Sequence, residues 1–407
     1  MEKYRIRPNL RFAQFTDEWI KKKYNEIYSF YSTNSLSREN LNYEINHINN
    51  IHYGDIHTKF STLFDTNNEI VPFINKDIDL SKIKDENYCQ VGDLVIADAS
   101  EDYNDIGKTI EIINLNNQKT VAGLHTFLAR PNKHPMALGF AGYMLKSAKV
   151  RKQVKTIAQG SKVLGLATGR LGSIELLIPN ILEQEKIATF LTAVDEKINL
   201  LQKKKQGLEQ YKKGVMQQLF SQKLRFKKED GSDYPEWEEK KLEKISKITI
   251  GEFVIKTKQN PKAMYPVYNG GKSYTGFYDD YNSDGDKIII SARGANAGFV
   301  NYEQGKFWAG NSCYSIDIID KHTNNVQYMF YFIKFRQHMF TDYQQAANIP
   351  SVSKKDVQIF KIFCPVIQEQ TEIANFLNTI DNKIDIINSQ LENTQYFKKG
   401  LLQQMFV

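Results

Sequence analysis

Two short runs in the sequence end in Gly-Lys followed by Ser or Thr, which is how a phosphate-binding loop ends. Such a loop also has a glycine five residues before this ending, so that backbone amides can wrap around the phosphates. Pro266 stands at that position before the run at 271–273, and Asp102 stands there before the run at 107–109. Pro266 also lacks the backbone N–H that such a loop uses. The spacing therefore argues against nucleotide binding at both places.

Acidic residues and histidines do not form a convincing metal site. D-E-K at 195–197 and D-N-K at 381–383 match a nuclease carboxylate pattern, but both lie in segments of helical periodicity. Charged pairs on a solvated face are typical of such segments. His47, His52 and His57 recur every five residues, a spacing that suits neither one face of a helix nor one face of a strand. We therefore expect no metal ligands on this chain.

Other catalytic motifs are also missing from the sequence. There is no Gly-x-Ser-x-Gly elbow for a hydrolase and no Asn/Asp-Pro-Pro-aromatic loop for methyl transfer to an adenine amine. Cys89, Cys313 and Cys364 are far apart and form no C-x-x-C pair, which argues against a disulfide framework and a thiolate zinc site. We therefore expect no catalytic residue and no cofactor bound by this chain.

Length and composition indicate a folded protein of several domains. The chain has 407 residues, of which 41% are hydrophobic and 12% aromatic, and this exceeds what one core usually spans. No run approaches the roughly 18 apolar residues of a membrane span, and no signal peptide is visible, so we expect a cytoplasmic protein. The formal net charge of +7 is compatible with a polyanionic partner but does not establish one.

An internal repeat is the strongest signal in the sequence. Residues 179–221 and 365–407 align without a gap and are identical at 17 of 43 positions. Both copies contain E-Q, I-A-x-F-L, D-x-K-I and K-K-G-x-x-Q-Q in this order. The chain therefore contains a duplicated structural element.

Apolar residues in each copy recur at alternating steps of four and three residues, which is the pattern of a coiled-coil seam. Pro179 and Pro365 stand just ahead of the two predicted helices, where proline is tolerated. Two matched seams in one chain predict an intramolecular coiled coil of two helices. The seam positions are Ile187, Leu191, Val194, Ile198, Leu201, Leu208, Val215 and Leu219 in the first copy, and Ile373, Leu377, Ile380, Ile384, Ile387, Leu391, Leu401 and Met405 in the second.

The segments ahead of the two helices share some features and differ in most others. Both are rich in β-branched and aromatic runs between Gly, Asn and Asp, which predicts small strands and long loops. Most of their sequence differs, so a common scaffold carries two different globules. The shared strings are L-R-F then W (10–12 and 19; 224–226 and 237), GDLVIADAS with GDKIIISAR (92–100; 285–293), and VAG with WAG (121–123; 308–310).

These patterns predict an α+β protein in which two globular domains are separated by two long helices. The predicted boundaries are 1–179 for the first globular domain, 180–221 for the first helix, 222–365 for the second globular domain and 366–407 for the second helix.

The whole arrangement resembles the specificity subunit of type I restriction–modification systems. The resemblance rests on the two E-Q to K-K-G-x-x-Q-Q helices and on the L-R-F…W entry before each globule. It rests also on the sequences of 49–58 (NNIHYGDIHT), 266–273 (PVYNGGKS) and 291–300 (SARGANAGFV). Each string alone is weak, but together they are specific and cover essentially the whole chain.

The resemblance implies a DNA-binding protein of bacterial defence that is not itself an enzyme. Each globule would be a target-recognition domain that reads one half of a bipartite, asymmetric site in double-stranded DNA. The two helices would pair as an antiparallel intramolecular coiled coil with a globule at each end, set the gap between the halves and dock two modification subunits. S-adenosylmethionine and adenine-N6 methylation would belong to those partners, and ATP, Mg and DNA cleavage to a restriction subunit.

Candidate contacts follow from this resemblance and from the chemistry of base edges, which Arg, Lys, Asn and Gln read in the major groove. In the first globule the candidates are His57, Thr58, Lys59, Lys108, Gln159, Ser161 and Lys162. In the second they are Asn269, Lys272, Ser273, Tyr274, Arg293, Asn296, Asn311 and Ser312. Candidates for partner docking or helix packing are Ile187, Leu191, Lys212, Lys213, Gln217, Gln218, Ile373, Leu377, Lys398, Lys399, Gln403 and Gln404.

Two other functions remain open at this stage. A coiled-coil adaptor that binds proteins rather than DNA would explain the repeat but not the two globules. An autonomous enzyme would need a set of catalytic residues that none of the motifs above provides.

Overall fold

The computed structural model describes residues 7–44, 46–132, 134–342 and 350–407. The chain divides into two compact units. Unit 1 comprises Met1–Gln202 with Gln390–Val407, and unit 2 comprises Lys203–Ser389. We call the part of unit 1 that precedes Ile181 globule 1, and residues 221–366 of unit 2 globule 2.

Two long helices, α6 (Ile181–Phe220) and α11 (Ile367–Gln404), follow the two globules. Globule 1 contains the short helices α1 (Tyr24–Ile27), α2 (Tyr53–Thr58), α3 (Phe140–Met144), α4 (Ala148–Ile157) and α5 (Thr168–Leu171). Its strands are β1 (Ile20–Lys23), β2 (Tyr28–Tyr31), β3 (Leu41–Asn42), β4 (Ile48–Ile51), β5 (Leu63–Asp65), β6 (Phe73–Ile74), β7 (Leu94–Ala97), β8 (Ala99–Ser100), β9 (Thr109–Asn114), β10 (Lys119–Ala122), β11 (Thr126–Pro131), β12 (Leu164–Gly165) and β13 (Glu175–Ile178).

Globule 2 contains helices and strands in a similar order. Its helices are α7 (Leu242–Ile245), α8 (Val326–Phe335), α9 (His338–Asp342) and α10 (Lys354–Gln358). Its strands are β14 (Glu238–Lys241), β15 (Ser246–Ile250), β16 (Tyr265–Tyr268), β17 (Gly276–Tyr278), β18 (Lys287–Ser291), β19 (Val300–Glu303), β20 (Trp308–Ala309), β21 (Cys313–Ile318) and β22 (Lys361–Cys364). The chain is thus a mixed helix and strand protein with long helices, as the sequence predicts.

The main sheets of the two globules share the order of four strands, and the sheet of globule 1 has β5 as a fifth strand. In globule 1 the order is β2-β11-β7-β9-β5, and in globule 2 it is β15-β21-β18-β19. Each globule also has a smaller sheet in which two strands pair in parallel, β4 with β10 and β16 with β20. GDLVIADAS and GDKIIISAR therefore supply equivalent strands, since they form β7 and β18 at the centre of the two main sheets.

Apolar seam residues of the long helices are buried in the core of each unit. In unit 1, Leu191 and Met405 lie in one apolar cluster with Trp19. In unit 2, Leu219 and Leu377 lie in another apolar cluster. Burial of these positions explains why helices of net polar composition form, because packing of an apolar face supplies most of the stability of a helix in a protein.

The duplicated E-Q and L-R-F…W strings meet in the same way in both units. In unit 1, Arg11 donates two hydrogen bonds of 2.7 Å to the fully buried carboxylate of Glu183, and Trp19 Nε1 donates a third over 3.3 Å. In unit 2, Arg225 donates to Glu369 over 3.1 and 2.9 Å, and Trp237 Nε1 donates over 3.1 Å. The entry segment of each globule is thereby fixed to the first turn of the helix that follows it.

The glutamine of each E-Q string holds the globule to the helix through backbone groups. Gln184 Oε1 accepts from the N–H of Ala137 over 3.0 Å, and Gln370 Oε1 accepts from the N–H of Asn325 over 2.8 Å. The amide nitrogen of Gln184 donates to the carbonyl of Pro179, as that of Gln370 does to Pro365. Both amides are therefore satisfied although the residues are almost fully buried.

The sequence analysis favoured strands and loops in the globules, but both also contain a helix of ten residues, α4 and α8. Helix α8 reads VQYMFYFIKF and has six buried residues. Such a continuously apolar run shows no clear period, so the sequence could not distinguish a buried strand from a buried helix. The Asn325 side chain accepts from the N–H of Tyr328 and marks the start of this helix.

A Tyr-x-x-Lys string occupies the junction between globule and long helix in both units. Tyr143 Oη donates to Asp195 over 2.9 Å, and Tyr331 Oη donates to Asp381 over 2.6 Å. Lys146 contacts the hydroxyl of Thr62. Burial lowers the pKa of the Lys146 amine to about 8, and the positive charge of Lys398 adds to this. Folding therefore has to bury a charge at this position.

Replacing Lys146 by methionine is expected to raise the melting temperature at about pH 7 by several degrees, because the variant buries no charge. The unfolded chain keeps the Lys146 proton up to an ordinary pKa of 10.5, whereas the folded chain releases it near 8. Wild-type stability therefore rises, relative to the variant, as pH increases between these values. Melting curves at about pH 7 and 9.5 measure this, with exposed Lys152→Met as the control; a difference between wild type and variant that does not shrink would contradict it.

Among the residues that the structure describes, no helix is long and apolar enough to cross a membrane.

Candidate functional site

Three corresponding chain segments approach one another in each globule. The first follows the strand β4 or β16, the second follows the central strand β7 or β18, and the third joins β10 to β11 or β20 to β21. In globule 1 these segments are 52–58, 98–100 and 123–125. In globule 2 they are 269–274, 292–296 and 310–312. We call these two sets the loop triads of globules 1 and 2.

Backbone bonds hold the loop triad of globule 2 together. Ser312 N donates to Asn269 Oδ1 over 3.1 Å, and Ala292 N donates to Ser312 O over 2.7 Å. Asn296 Nδ2 lies 3.5 Å from the carbonyl oxygen of Gly270. The candidate loops 269–274 and 293–296 and the pair Asn311–Ser312 are therefore brought together.

Glycine is required where the third segment passes β4 in globule 1 and the first segment in globule 2. A Cβ on Gly310 would come within 2.4 Å of Asn269 Oδ1, and a Cβ on Gly123 within 2.1 Å of Asn50 Oδ1. Real side chains do not approach so closely, so any larger residue would push the segments apart. These glycines end the VAG and WAG strings, which explains why both strings contain glycine at that place.

Four of the eight candidate side chains in globule 2 are exposed. Arg293, Lys272 and Ser273 are exposed, and Tyr274 is 51% exposed. Asn296, Asn311 and Ser312 are half-buried. The backbone of Arg293 bridges to Ser351. A guanidinium presented from a fixed backbone can make the paired hydrogen bonds that recognise a guanine or a phosphate.

The triad of globule 1 contains several polar groups that already bond to each other. His57 Nε2 donates to the carbonyl of Ala99 over 3.0 Å, and Lys108 Nζ donates to the carbonyl of His57 over 2.6 Å. Thr58 Oγ1 donates to the carbonyl of Gly54 over 2.7 Å. These candidates lie in the triad region, but their polar groups serve internal contacts.

Lys59 belongs to an ion-pair group on α2. Its amine lies 3.0 Å from the carboxylate of buried Asp55, which also accepts from Arg38 over 2.7 Å. Burial alone would raise the pKa of Asp55, but the hydrogen bonds from Arg38 and Lys59 lower it overall. Burial, together with the Arg38 charge, lowers the pKa of His52. This corner of globule 1 is therefore a fixed charge network, with the Lys59 side chain half exposed.

The candidate loop with Gln159, Ser161 and Lys162 lies beside the same triad. Gln159 pairs with Gly165 through two backbone hydrogen bonds of 3.0 and 2.7 Å, and β12 pairs with β8 of the second segment. Gln159, Ser161 and Lys162 are all exposed. The structure therefore brings this loop next to the triad.

The sequence analysis did not select Tyr53, Asp98 or His125, although all three lie in the triad of globule 1. His125 Nδ1 is 3.3 Å from Asp98 Oδ1, and the rings of His125 and Tyr53 lie 5.3 Å apart. Burial raises the pKa of Asp98, against the effect of His125. The sequence does contain an indication of His125. When the VAG and WAG strings are aligned, His125 falls at the position of Ser312, which is one of the candidate DNA contacts.

The candidate docking residues of the long helices fall into three groups. Ile187, Leu191, Ile373 and Leu377 are buried in the unit cores. Lys212 and Lys398 form ion pairs within their units, Lys212 with Asp381 over 2.5 Å and Lys398 with Asp195. The remaining six are exposed: Lys213, Gln217, Gln218, Lys399, Gln403 and Gln404.

Within the described ranges, no group of three or more His, Cys, Asp or Glu residues could hold a metal ion. Cys89, Cys313 and Cys364 are buried and free, and burial raises the pKa of each thiol above its ordinary value. Thiolate chemistry is therefore disfavoured at all three positions.

Comparison with known families gives a specific match to the architecture described above. The sequence model of the type I restriction modification DNA specificity domain matches residues 17–210 and 234–394. These two ranges cover most of the chain, and each includes most of one globule with part of a long helix. The chain therefore belongs to the family of type I restriction–modification specificity subunits, which confirms the resemblance found in the sequence.

Individual relatives and solved structures agree with this family. A Methanocaldococcus jannaschii protein provisionally named the type I restriction enzyme MjaX specificity subunit is 27% identical over 298 residues, covering 69% of this chain and 70% of the relative. The Escherichia coli type I restriction enzyme EcoprrI specificity subunit is 24% identical over 153 residues, 37% of each chain. The crystal structure of the S subunit from M. genitalium matches with a TM-score of 0.67 at 17% identity and covers 99% of both chains.

Proposed function

We propose that this chain is the DNA-specificity subunit of a type I restriction–modification complex and is not catalytic by itself. Globule 1 would read one half of a bipartite, asymmetric site in double-stranded DNA, and globule 2 the other half. The chain would direct adenine-N6 methylation by modification subunits and, when a restriction subunit joins, ATP-dependent cleavage.

The observation that carries this proposal is the loop triad, because it is built twice with different side chains. By strand register and backbone hydrogen bonds, Arg293 and Ser312 of globule 2 occupy the positions of Ala99 and His125 in globule 1. A backbone that is repeated with different side chains is suited to reading two different base sequences, since base identity is read through side-chain donors and acceptors. Lys272, Lys162 and other exposed lysines would contact phosphates.

We further propose that the long helices pair as an antiparallel coiled coil that sets the gap between the two half-sites. Two ion pairs support this pairing. The first half of α6 contacts the second half of α11 through Asp195 and Lys398, and the second half of α6 contacts the first half of α11 through Lys212 and Asp381. This exchange of halves is the pattern of antiparallel helices. A spacer of fixed length would make recognition at both ends obligatory and leave the bases between them unread.

Two modification subunits would dock on surfaces that the internal repeat supplies twice. Leu200 and Ile386 are repeat-equivalent and 67% and 57% exposed; Tyr211 and Phe397 are also equivalent and 53% and 52% exposed. Each unit therefore carries one residue of each pair, Leu200 with Phe397 in unit 1 and Ile386 with Tyr211 in unit 2. Matched apolar patches suit two identical partners, as pseudo-symmetric interfaces require. The exposed Lys-Gln positions of the K-K-G-x-x-Q-Q strings would form the polar rim.

Replacing Phe397 by serine is expected to weaken binding of one modification subunit at least about tenfold, since an aromatic anchor often dominates an interface. Tyr211→Ser should do the same at the second surface, and the double variant should bind neither partner tightly. Native mass spectrometry of the reconstituted complex measures the stoichiometry, with exposed Lys149→Ser on α4 as the control. Two partners bound to the double variant at wild-type affinity would contradict this docking surface.

S-adenosylmethionine is proposed to bind to the modification subunit, and ATP and Mg to the restriction subunit. The adaptor function is the alternative, and salt distinguishes the two. If the chain with its modification subunit binds duplex DNA through phosphates, affinity falls steeply between about 50 and 200 mM salt. A stable complex with protein partners that shows no affinity for DNA at low salt would favour the adaptor.

A further inference from the structure

We propose that His125 reads a base of the first half-site through its Nε2 atom and that Asp98 is its positioning residue. The base would be one that offers an exocyclic amine in the major groove, adenine or cytosine. This inference rests on the proposed function of globule 1 and deepens it, because it assigns a specificity-determining residue to that globule.

The backbone at His125 holds this side chain in an uncommon conformation. His125 has a φ of 53°, in the left-handed region that residues other than glycine seldom adopt. Its carbonyl accepts from the N–H of Asp98 over 3.0 Å, and Thr126 just after it begins the buried strand β11. Strained residues that the surrounding structure over-determines are found preferentially at functional sites. The hydrogen bond from Asp98 and the strand that begins at Thr126 together fix the strained backbone of His125.

The contact with Asp98 determines which ring nitrogen is available. His125 Nδ1 lies 3.3 Å from the Asp98 carboxylate, whose side chain is 23% exposed, whereas that of His125 is 51% exposed. A carboxylate at Nδ1 favours the tautomer with the proton on that atom, which leaves Nε2 as an acceptor. The Tyr53 ring lies 5.3 Å away at an interplanar angle of 80° and limits rotation of the imidazole. Nε2 is thus left as an oriented acceptor.

An acceptor fits the amine of adenine or cytosine, because these bases present N6 and N4 donors in the major groove. Other polar groups near the triad are less free. His57 Nε2 and the Lys108 amine bond to backbone carbonyls, and the Lys59 amine bonds to Asp55 and to the Tyr43 hydroxyl. The equivalent position in globule 2 is Ser312, also polar, so the two globules would read through the same place with different groups.

The test uses His125→Gly, because glycine accepts the left-handed backbone at this position and offers no side-chain acceptor. The full chain is expressed with its modification subunit in a methylation-free host, and the methylated motif is mapped across the genome. We expect methylation of the wild-type site to fall roughly tenfold or more, with relaxation at one position of one half-site. His125→Asn, which also tolerates a positive φ, is mapped beside it, and asparagine should favour adenine at the same position.

Three further variants separate base reading from a purely structural role. Asp98→Asn can still accept from Nδ1–H, so it should keep the wild-type motif, whereas Asp98→Ala should relax the same position as His125→Gly. His134→Asn changes an exposed histidine at the opposite end of β11 and should leave the motif unchanged.

An unchanged motif and unchanged methylation in His125→Gly, or an equal loss at both half-sites at an unchanged melting temperature, would overturn the assignment.

Failure of this inference is distinguishable from failure of the proposed function. If the wild-type chain itself produces no motif, the specificity function fails. If wild type produces a split motif that His125→Gly leaves intact, only the assignment of His125 fails. The base at the affected position also distinguishes adenine from cytosine.

Discussion

Replacing Arg293 by alanine is expected to remove discrimination at one position of one half-site and to lower methylation of the wild-type site about tenfold to a hundredfold. Arg293 is exposed at the end of the central strand of globule 2, and its backbone is fixed by Ser351. One paired contact to a base edge is worth about 1–3 kcal/mol of discrimination. Recognition of the other half-site should not change, because globule 1 reads it. Mapping the methylated motif of the variant measures both effects.

Arg293→Lys is the matched control, since it keeps the positive charge but loses the planar fork of the guanidinium. If Arg293 reads a base, lysine should restore much of the DNA affinity but not the discrimination. If Arg293 only contacts phosphate, lysine should restore both. A motif that Arg293→Ala leaves unchanged, or equal loss at both half-sites, would exclude the base-reading role.

The largest loss of stability is expected from Arg11→Ala, at about 3–5 kcal/mol. The variant leaves the carboxylate of Glu183, which is completely buried, without the two short hydrogen bonds that Arg11 donates. An unpaired buried charge costs several kcal/mol, much more than the loss of an exposed pair. Arg225→Ala should act alike in unit 2, because Arg225 and Glu369 repeat the arrangement. Hydrogen exchange during urea titration measures the stability of each unit.

A double variant provides the control for this prediction. Arg11→Met combined with Glu183→Leu removes both charges and should cost clearly less than Arg11→Ala alone, since no charge is left unpaired. The stabilising role of the buried ion pair is contradicted if Arg11→Ala lowers the free energy of unfolding by less than about 1 kcal/mol. It is also contradicted if the double variant lowers the free energy of unfolding more than Arg11→Ala does.

The repeat made much of the fold predictable. Identical E-Q, D-x-K-I and K-K-G-x-x-Q-Q strings specify similar helices, and the structure has them as α6 and α11. In the sequence, the L-R-F…W strings are only a similarity between the starts of the two globules. The structure explains this similarity, because Arg11 and Trp19 donate hydrogen bonds to Glu183 of the helix that follows. The domain boundaries predicted from the sequence stay a prediction. The two compact units of the structure follow a different division, since each long helix is divided between them near its middle.

The candidate site was less predictable, because contacts between distant segments decide it. Asn269 and Ser312 were selected as polar loop residues, and a hydrogen bond joins them across 43 positions. His125 lies in a short turn without periodicity, and only the alignment of the VAG and WAG strings, which places it opposite Ser312, indicates it in the sequence. The role proposed for His125 depends on its contacts with Asp98 and Tyr53, and only the folded chain brings these residues beside it. Whether the selected side chains contact DNA remains a prediction.

The central claim is tested most directly by a methylation map of DNA from a methylation-free bacterial host. The host expresses this chain with its modification subunit, and the control host expresses the modification subunit alone. The account predicts new N6-methyladenine at one split motif, with two defined blocks around an unread gap of constant length. If both proteins are soluble and associate but no motif appears, or if a single uninterrupted block appears, the account of two readers on a fixed spacer is contradicted.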